Sequence, residues 1–451
     1  MVGHRHCRDR AWMPDGCLVH AGKVEAQTHL ARAETGAVKE YAVDVVVVGA
    51  GPAGIMAALA AASHGRKAAL VERQPRPGVK LCATGGGRGN LTNTLPEEDF
   101  LRRFGRKARF VAPALRSFGP RRLKSFLNES GVPTTVEDGW RVYPVSGRAS
   151  DVRDALVRRL GRSGVELFVG AEVDGLIGSS GRVLGVRSTA GTFSCRAVVL
   201  AAGGMTRSDL GGNESGYALA KQAGHSIVRP LPALSPIRAS DPWVGRLAGV
   251  VLPNAGLRAG RGGAGAVSSG SVLFTHSGIS GPAALDISGF VAESLAAGPI
   301  ELLLNCDQDS GREEWLHRFR EWRKAHGARR IVNLLDMALP ASFAEVVAET
   351  AGVNPARVAA ELTADETGRL IESLTGLHIT AVGVGSMDEA MVTRGGVELS
   401  EVDPKRLASR KAPGLFFAGE ILDVDGPTGG FNLQWAFSSG WLAGYNSNFQ
   451  V

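Results

Sequence analysis

Runs of apolar residues with two different periods divide the chain into its elements. Val43 to Val48 is unbroken, apolar and β-branched, with the length and composition of a strand buried on both faces. Ile55 to Ser63 is rich in alanine and predicts a helix stopped at Gly65, and Lys67 to Val71 predicts a second strand ending on Glu72. Phe100 to Glu129 reads as two helical pieces with a solvated basic outer face. Ser150 caps a helix over Asp151 to Leu160, with Asp151 and Asp154 in its first turn, where the helix dipole favours acids. Val165–Val169, Glu172–Ile177, Val183–Ser188 and Thr192–Cys195 read as strands, and Ala197–Leu200 as another buried one.

The texture then changes. Prolines 230, 232, 236, 242 and 253 break helices, and short strand-like runs follow. Ser280 and Pro282 mark a helix start, and Glu313 to Leu377 is mostly helical. Leu415 to Ala418 is a last buried strand, followed by an apolar helix to Ala443. This order predicts an α/β protein whose sheet domain, over 41–210 and 386–451, is interrupted. It also predicts an inserted β domain over 211–275 and a mainly helical insertion over 276–385. Residues 1–40 lack periodicity and read as a disordered or non-native extension; their His and Cys spacing matches no metal site.

Between the first strand and first helix stands Gly49-Ala50-Gly51-Pro52-Ala53-Gly54, a GxGxxG. Gly49 allows the tight turn, Gly51 lets a pyrophosphate approach the backbone, and Gly54 lets the helix pack on the strand. The helix N-terminus offers free N–H groups to phosphate, and Glu72 is placed to accept from ribose hydroxyls. The same letters at Gly260–Gly265 read as a loop, with no strand expected to lead into them and no helix to follow.

Several later stretches point back to the same ligand. Arg73 and Lys80 precede Gly85-Gly86-Gly87-Arg88-Gly89-Asn90, a loop suited to lie beside a pyrophosphate and flavin ring. Val173, in the meander, is an expected backbone contact to adenine, and Gly203 ends a buried strand beside the cofactor. Met391–Val397 returns the chain to the cofactor. Gly419, Glu420, Asp423, Gly426, Gly429, Gly430, Asn432 and Leu433 surround the start of the last helix. Its dipole would favour negative charge on a reduced flavin, with Asp423 on a ribityl hydroxyl. His276 follows a strand and precedes a glycine-rich turn, a place for a proton donor or an ordinary structural histidine.

Composition narrows the class. The 451 residues are 44% hydrophobic and 21% charged, which is globular. The net charge is +7, with basic residues scattered and little aromatic interleaving, which suits an anionic cofactor better than nucleic acid. No apolar run is long enough to span a bilayer. Five cysteines without metal spacing imply no metal site and a reduced, cytoplasmic setting.

The segments VVVVGAGPAGIMAALAAA, TGGGRGNLTN, LFTHSGISGP, VTRGGVELSEVDP and LFFAGEILDVDGPTGGFNLQWAFSSG together resemble the BaiN/HI0933-type FAD-dependent oxidoreductases, from about Val43 to Gly444. The resemblance implies FAD in a two-dinucleotide-binding-domain fold. It places contacts at Gly49, Gly51, Gly54, Glu72, Arg73, Lys80, Gly86, Arg88, Asn90, Gly419, Asp423, Gly429, Gly430 and Asn432. One departure is Gly89, where the family usually has Cys, so any role of that thiol is absent. The expected reaction is NADH- or NADPH-driven reduction of an activated C=C bond in a small hydrophobic substrate, with His276 supplying the proton. An oxidase or desaturase using O₂ is the alternative. An RNA-modifying flavoprotein is a third reading, permitted by net charge but lacking a recognised RNA module. Oligomeric state and the choice of nicotinamide are open at this level.

Overall fold

The computed structural model describes residues 28–30, 39–260 and 265–447. Most of the expected extension 1–40 lies outside the described residues, as does the centre of the second GxGxxG. What is described of the extension joins the fold. The backbone of Thr28–Leu30 runs parallel to Glu166–Val169, and Glu40–Ala42 runs parallel to Gly191–Ser194.

The α/β domain is built on a six-stranded parallel sheet. Its strand order is Thr28–Leu30, Glu166–Val169, Ala68–Glu72, Val45–Val48, Ala197–Leu200 and Leu415–Phe417. Val45–Val48 lies near the centre with every residue buried, as expected for an all-apolar strand covered on both faces. The last strand in sequence therefore pairs beside elements formed at the start. The helix Pro52–Ala62 leaves the central strand and is buried along most of its length, because its alanines let neighbours approach closely. The closing helix, Phe431–Asn446, packs directly on it. A Cβ at Gly440 would stand 2.1 Å from the Ala53 carbonyl oxygen, and one at Gly444 would stand 2.1 Å from that of Ala57. A second sheet, Glu40–Ala42, Gly191–Ser194, Arg182–Ser188 and Val173–Ser179, carries the expected meander.

The insertion has a separate hydrophobic core. Its strands Ile237–Ala239, Gly278–Ser280, Ala266–Thr275, Val251–Ala259, Ile300–Asn305 and Leu377–Val384 close into a barrel. Leu252, Leu257, Leu302, Leu304, Leu377 and Ile379 are buried at the alternate positions that face inward. The β part thus runs past the expected boundary at 275, because Ile300–Asn305 and Leu377–Val384 pair with each other around the intervening helices. A strand, Val251–Ala259, does run into Gly260, contrary to expectation, and the element that follows, Ala266–Thr275, is its antiparallel partner rather than a helix. The chain enters and leaves the insertion through one antiparallel ribbon, Ile227–Ala233 with Val392–Val397. No described helix is long and apolar enough to cross a membrane.

Candidate active site

The GxGxxG takes the geometry its letters require. Gly49 turns with φ +97°, and its N–H donates to the Val71 carbonyl at 2.8 Å. Ala50 N–H donates to Glu72 Oε2 at 2.6 Å and Gln74 N–H to Oε1 at 2.7 Å, so the carboxylate is fixed at the end of its strand. Burial pushes the Glu72 carboxyl above its ordinary range, and the N–H groups of Gln74 and Ala50 pull it partly back.

One cavity starts at this turn. It is lined by Gly49, Gly51, Pro52, Ala53, Glu72, Lys80, Gly203, Glu420, Asn432 and Leu433, all expected site residues. Met391 and Val392, where the chain was expected to return to the cofactor, line it as well. The residues present fit a dinucleotide. A Cβ on Gly51 or Gly203 would meet no atom within 4 Å, leaving space against bare backbone. Beyond the glycines the wall becomes apolar, with Leu81, Val392, Val424, Leu433 and Trp435. The closing helix presents its N-terminal residues Asn432 and Leu433 to this half. Asn432 also clamps the preceding turn, accepting from Gly426 N–H and donating to Gly426 O, both at 2.8 Å.

A polar hub stands in the wall. Lys80 Nζ reaches Glu420 Oε2 at 3.0 Å and Thr206 Oγ1 at 2.8 Å. Glu420 Oε1 accepts from Thr393 N–H at 2.8 Å, and Thr393 Oγ1 accepts from Met205 N–H at 2.9 Å. Behind it the buried Tyr217 hydroxyl has no hydrogen-bond partner among the described residues, and burial and the charges of Glu420 and Asp423 push it upward.

Other expected contacts sit elsewhere. Ala50, Gly54 and Gly419 lie outside the cavity lining; Gly419 N–H donates to Ser439 Oγ at 2.9 Å. Arg73 donates to the Gly211 carbonyl at 3.1 Å. Arg88 pairs with Glu137 at 2.6 Å and stacks over Tyr143, so its charge is engaged. Asp423 accepts from Lys107 Nζ at 2.7 Å and Gly395 N–H at 2.9 Å rather than facing the cavity. Val173 is buried at its strand start, outside the lining, although neighbouring Ala171 donates to Glu72 O at 2.9 Å. The Gly85, Gly86 and Asn90 loop lies against the Gly426–Gly430 turn: Asn90, with its amide oxygen turned toward it, accepts from Gly430 N–H at 3.2 Å. Gly429 packs on Trp140, and a Cβ at Gly430 (φ +85°) would strike the Thr92 carbonyl at 2.5 Å. At Gly89 a Cβ would crowd Ala149 at 3.1 Å.

His276 is a correction. It is exposed at the tip of the hairpin between Ala266–Thr275 and Gly278–Ser280, and it does not line the cavity. A tight turn between paired strands points its residues to solvent, so the proton-donor role is not kept. Cys195 and Cys306 are buried, and desolvation pushes both thiols up to about 12, which leaves them inert near neutrality.

The sequence offered no signal for Asp286. It lies on the insertion helix Pro282–Ser294 and accepts from Thr428 N–H at 2.6 Å across the seam between domains. Burial pushes its carboxyl up to about 6, against the opposing pull of Thr428 and of the charges on Arg103 and Arg141. The folded protein therefore holds this proton more tightly than the unfolded chain. That advantage is complete below the unfolded value near 3.8 and is lost as pH rises through about 6. Asp286→Asn keeps an acceptor for Thr428 and cannot ionise. It should be more stable than the natural protein by about 1–3 kcal/mol at pH 8 and equal to it near pH 4, as read by urea unfolding. A constant difference across that range would refute the assignment.

A family model, HI0933-like protein Rossmann domain, matches residues 43–446. The chain is 31% identical over 408 residues to the 3-dehydro-bile acid delta(4,6)-reductase of Clostridium scindens, covering 88% of this chain and 97% of that one. It is 30% identical over 403 residues to the ribosomal RNA dihydrouridine synthase of Escherichia coli, covering 88% and 96%. A solved 3-ketosteroid delta1-dehydrogenase from Sterolibacterium denitrificans shares the fold, with TM-score 0.50 at 14% identity over 89% of this chain and 98% of that one.

Proposed function

Because the chain belongs to the HI0933-like Rossmann-domain family and is an FAD-dependent oxidoreductase, we propose that it reduces a C=C bond conjugated to a carbonyl, drawing electrons from NADH or NADPH. The observation that carries this reading is one continuous cavity, with a dinucleotide half of bare backbone and an apolar half beside the N-terminus of the closing helix. The reductase and synthase relatives support it: one is named for reducing a delta(4,6) bile acid and the other for making dihydrouridine.

Bound FAD supplies the hydride chemistry. Gly49, Gly51 and Pro52 would hold the phosphate end, and Glu72 has lone pairs left for ribose hydroxyls. Leu81, Val392, Val424 and Trp435 exclude water from the reacting half and favour an apolar substrate. The closing helix favours negative charge where its N-terminus faces the cavity. Lys80 and Glu420 form an ion pair on the wall.

A small hydrophobic enone is the substrate class we favour, on the apolar wall. A nucleic-acid substrate is the second reading, favoured by one stretch. Phe100 to Phe126 carries nine Lys and Arg and no acid, with Arg103, Arg106 and Arg109 exposed.

Anaerobic titration tests the proposal. NADH or NADPH should bleach the flavin absorbance, and a 4-en-3-one should restore it without oxygen. Restoration by a uridine-containing RNA, in a salt-sensitive manner and not by the enone, would select the nucleic-acid reading. A flavin that neither nucleotide reduces, reoxidised by O₂ after reduction by an amine, would replace the reductase with an oxidase.

A further inference from the structure

Four side chains hold the Gly426–Gly430 turn that opens the closing helix. Asn432 binds both ends of Gly426, Asn93 donates to Gly429 O at 3.0 Å, and Asn90 meets Gly430 N–H. These three belong to the α/β domain. The fourth, Asp286, reaches Thr428 from the inserted domain. It is also the one titratable group of the four. An asparagine would make the same bond without the desolvation cost of a carboxylate; what the acid adds is a proton that this contact can take up or lose.

We propose that Asp286 is a positioning residue of the flavin site, tying the inserted domain to the Gly426–Gly430 turn and so setting how the closing helix presents its N-terminus to FAD. This rests on the flavin reading of the cavity. The bond runs to Thr428, three residues before Phe431 begins the helix, with Asn432 and Leu433 at the cavity immediately after. A shift of that turn would move those N–H groups away from whatever the helix binds. The charges facing Asp286 are Arg103, just beyond the helix Glu97–Arg102, and Arg141, on the strand Arg141–Pro144; both favour the carboxylate. A carboxylate accepts from an N–H more strongly than the neutral acid does. The grip on the turn is therefore tightest above about pH 6 and weakens below it.

The test is FAD binding to apoprotein, followed by flavin fluorescence from pH 5 to pH 8, for the natural protein, Asp286→Ala and Asp286→Asn. Asp286→Ala should bind FAD about tenfold more weakly at pH 7.5, the effect of one lost hydrogen bond to a charged group. Asp286→Asn should bind normally at pH 7.5, yet lose the several-fold weakening that the natural protein shows toward pH 5. Rescue by the amide together with loss of the pH response separates positioning from bulk stability. Equal binding by Asp286→Ala and the natural protein would overturn the proposal. Should Asp286→Ala fail to fold, an Asp286→Asn curve superimposable on the natural one overturns it instead. If the natural protein itself takes up no FAD, the flavin reading falls first, and the failure is recognisable because all three proteins share it.

Discussion

Gly51→Val should fold normally and purify without flavin, whereas Gly54→Val should fail to fold. The two glycines belong to one motif three residues apart, but they face different surroundings. Gly51 has φ −74° and ψ −179°, an extended backbone that any residue adopts, and a Cβ there meets nothing within 4 Å. Valine therefore costs the apoprotein less than about 1 kcal/mol. Its methyls enter the cavity against the backbone where the phosphates would lie, so FAD affinity should fall by more than about 100-fold. A Cβ at Gly54 would stand 1.8 Å from the Gly49 carbonyl oxygen. Gly49 leaves a strand buried on both faces and Gly54 stands in the first turn of a helix buried along most of its length, so neither can move away, and valine should cost more than about 4 kcal/mol. Flavin content after purification and urea unfolding read the two effects. A flavin-replete Gly51→Val protein would mean that the cavity is not the cofactor site.

Lys80→Met should destabilise the protein by about 2–3 kcal/mol, Glu420→Gln by about 1 kcal/mol, and the double variant by less than the sum. The side chains of Lys80 and Glu420 are 25% and 22% exposed, so the penalty for stranding one charge is discounted from that of a fully buried pair. The order follows from the hub. Without Lys80, Glu420 keeps the Thr393 N–H but loses its counter-charge, while glutamine at 420 still accepts from Thr393 and leaves Lys80 bonded to Thr206. Urea unfolding of the apoproteins measures the cycle. Strict additivity within about 0.5 kcal/mol would show that the pair is not coupled.

The parts of this molecule legible from sequence were those where local rules and ligand rules coincide. Val45–Val48, the turn at Gly49, the helix after it and Glu72 follow from hydrophobic pattern and glycine placement within about thirty residues. The return of Leu415–Phe417 beside Ala197–Leu200 was readable as a buried strand, though its partner was not. Side-chain partners made through space were not readable. Asp423 looked like a ribityl ligand because it stands among glycines, yet Lys107, far back in the chain, claims it. Arg88 is engaged by Glu137 in the same way. The barrel boundary was misjudged because Ile300–Asn305 and Leu377–Val384 pair across a long helical excursion, which carries no local mark. His276 looked functional from its neighbours, but only the hairpin register shows that its turn faces outward. Asp286 sits in a helix with nothing unusual about it until Thr428 arrives from the other domain.

The fit of Gly440 and Gly444 over the backbone of Pro52–Ala62 also dictates an order of events during synthesis. As the chain leaves the ribosome, the first strands and the phosphate turn emerge early, with one edge of Ala197–Leu200 bare and the alanine face of the first helix uncovered. The barrel and its helices, with a core of their own, can close while that half-built sheet waits. Only when the final helix is released can its glycines seat on Ala53 and Ala57 and complete the cavity beside the Gly49 turn. The domain begun first is therefore finished last, and the cell must protect an open sheet edge for the time it takes to translate the whole insertion.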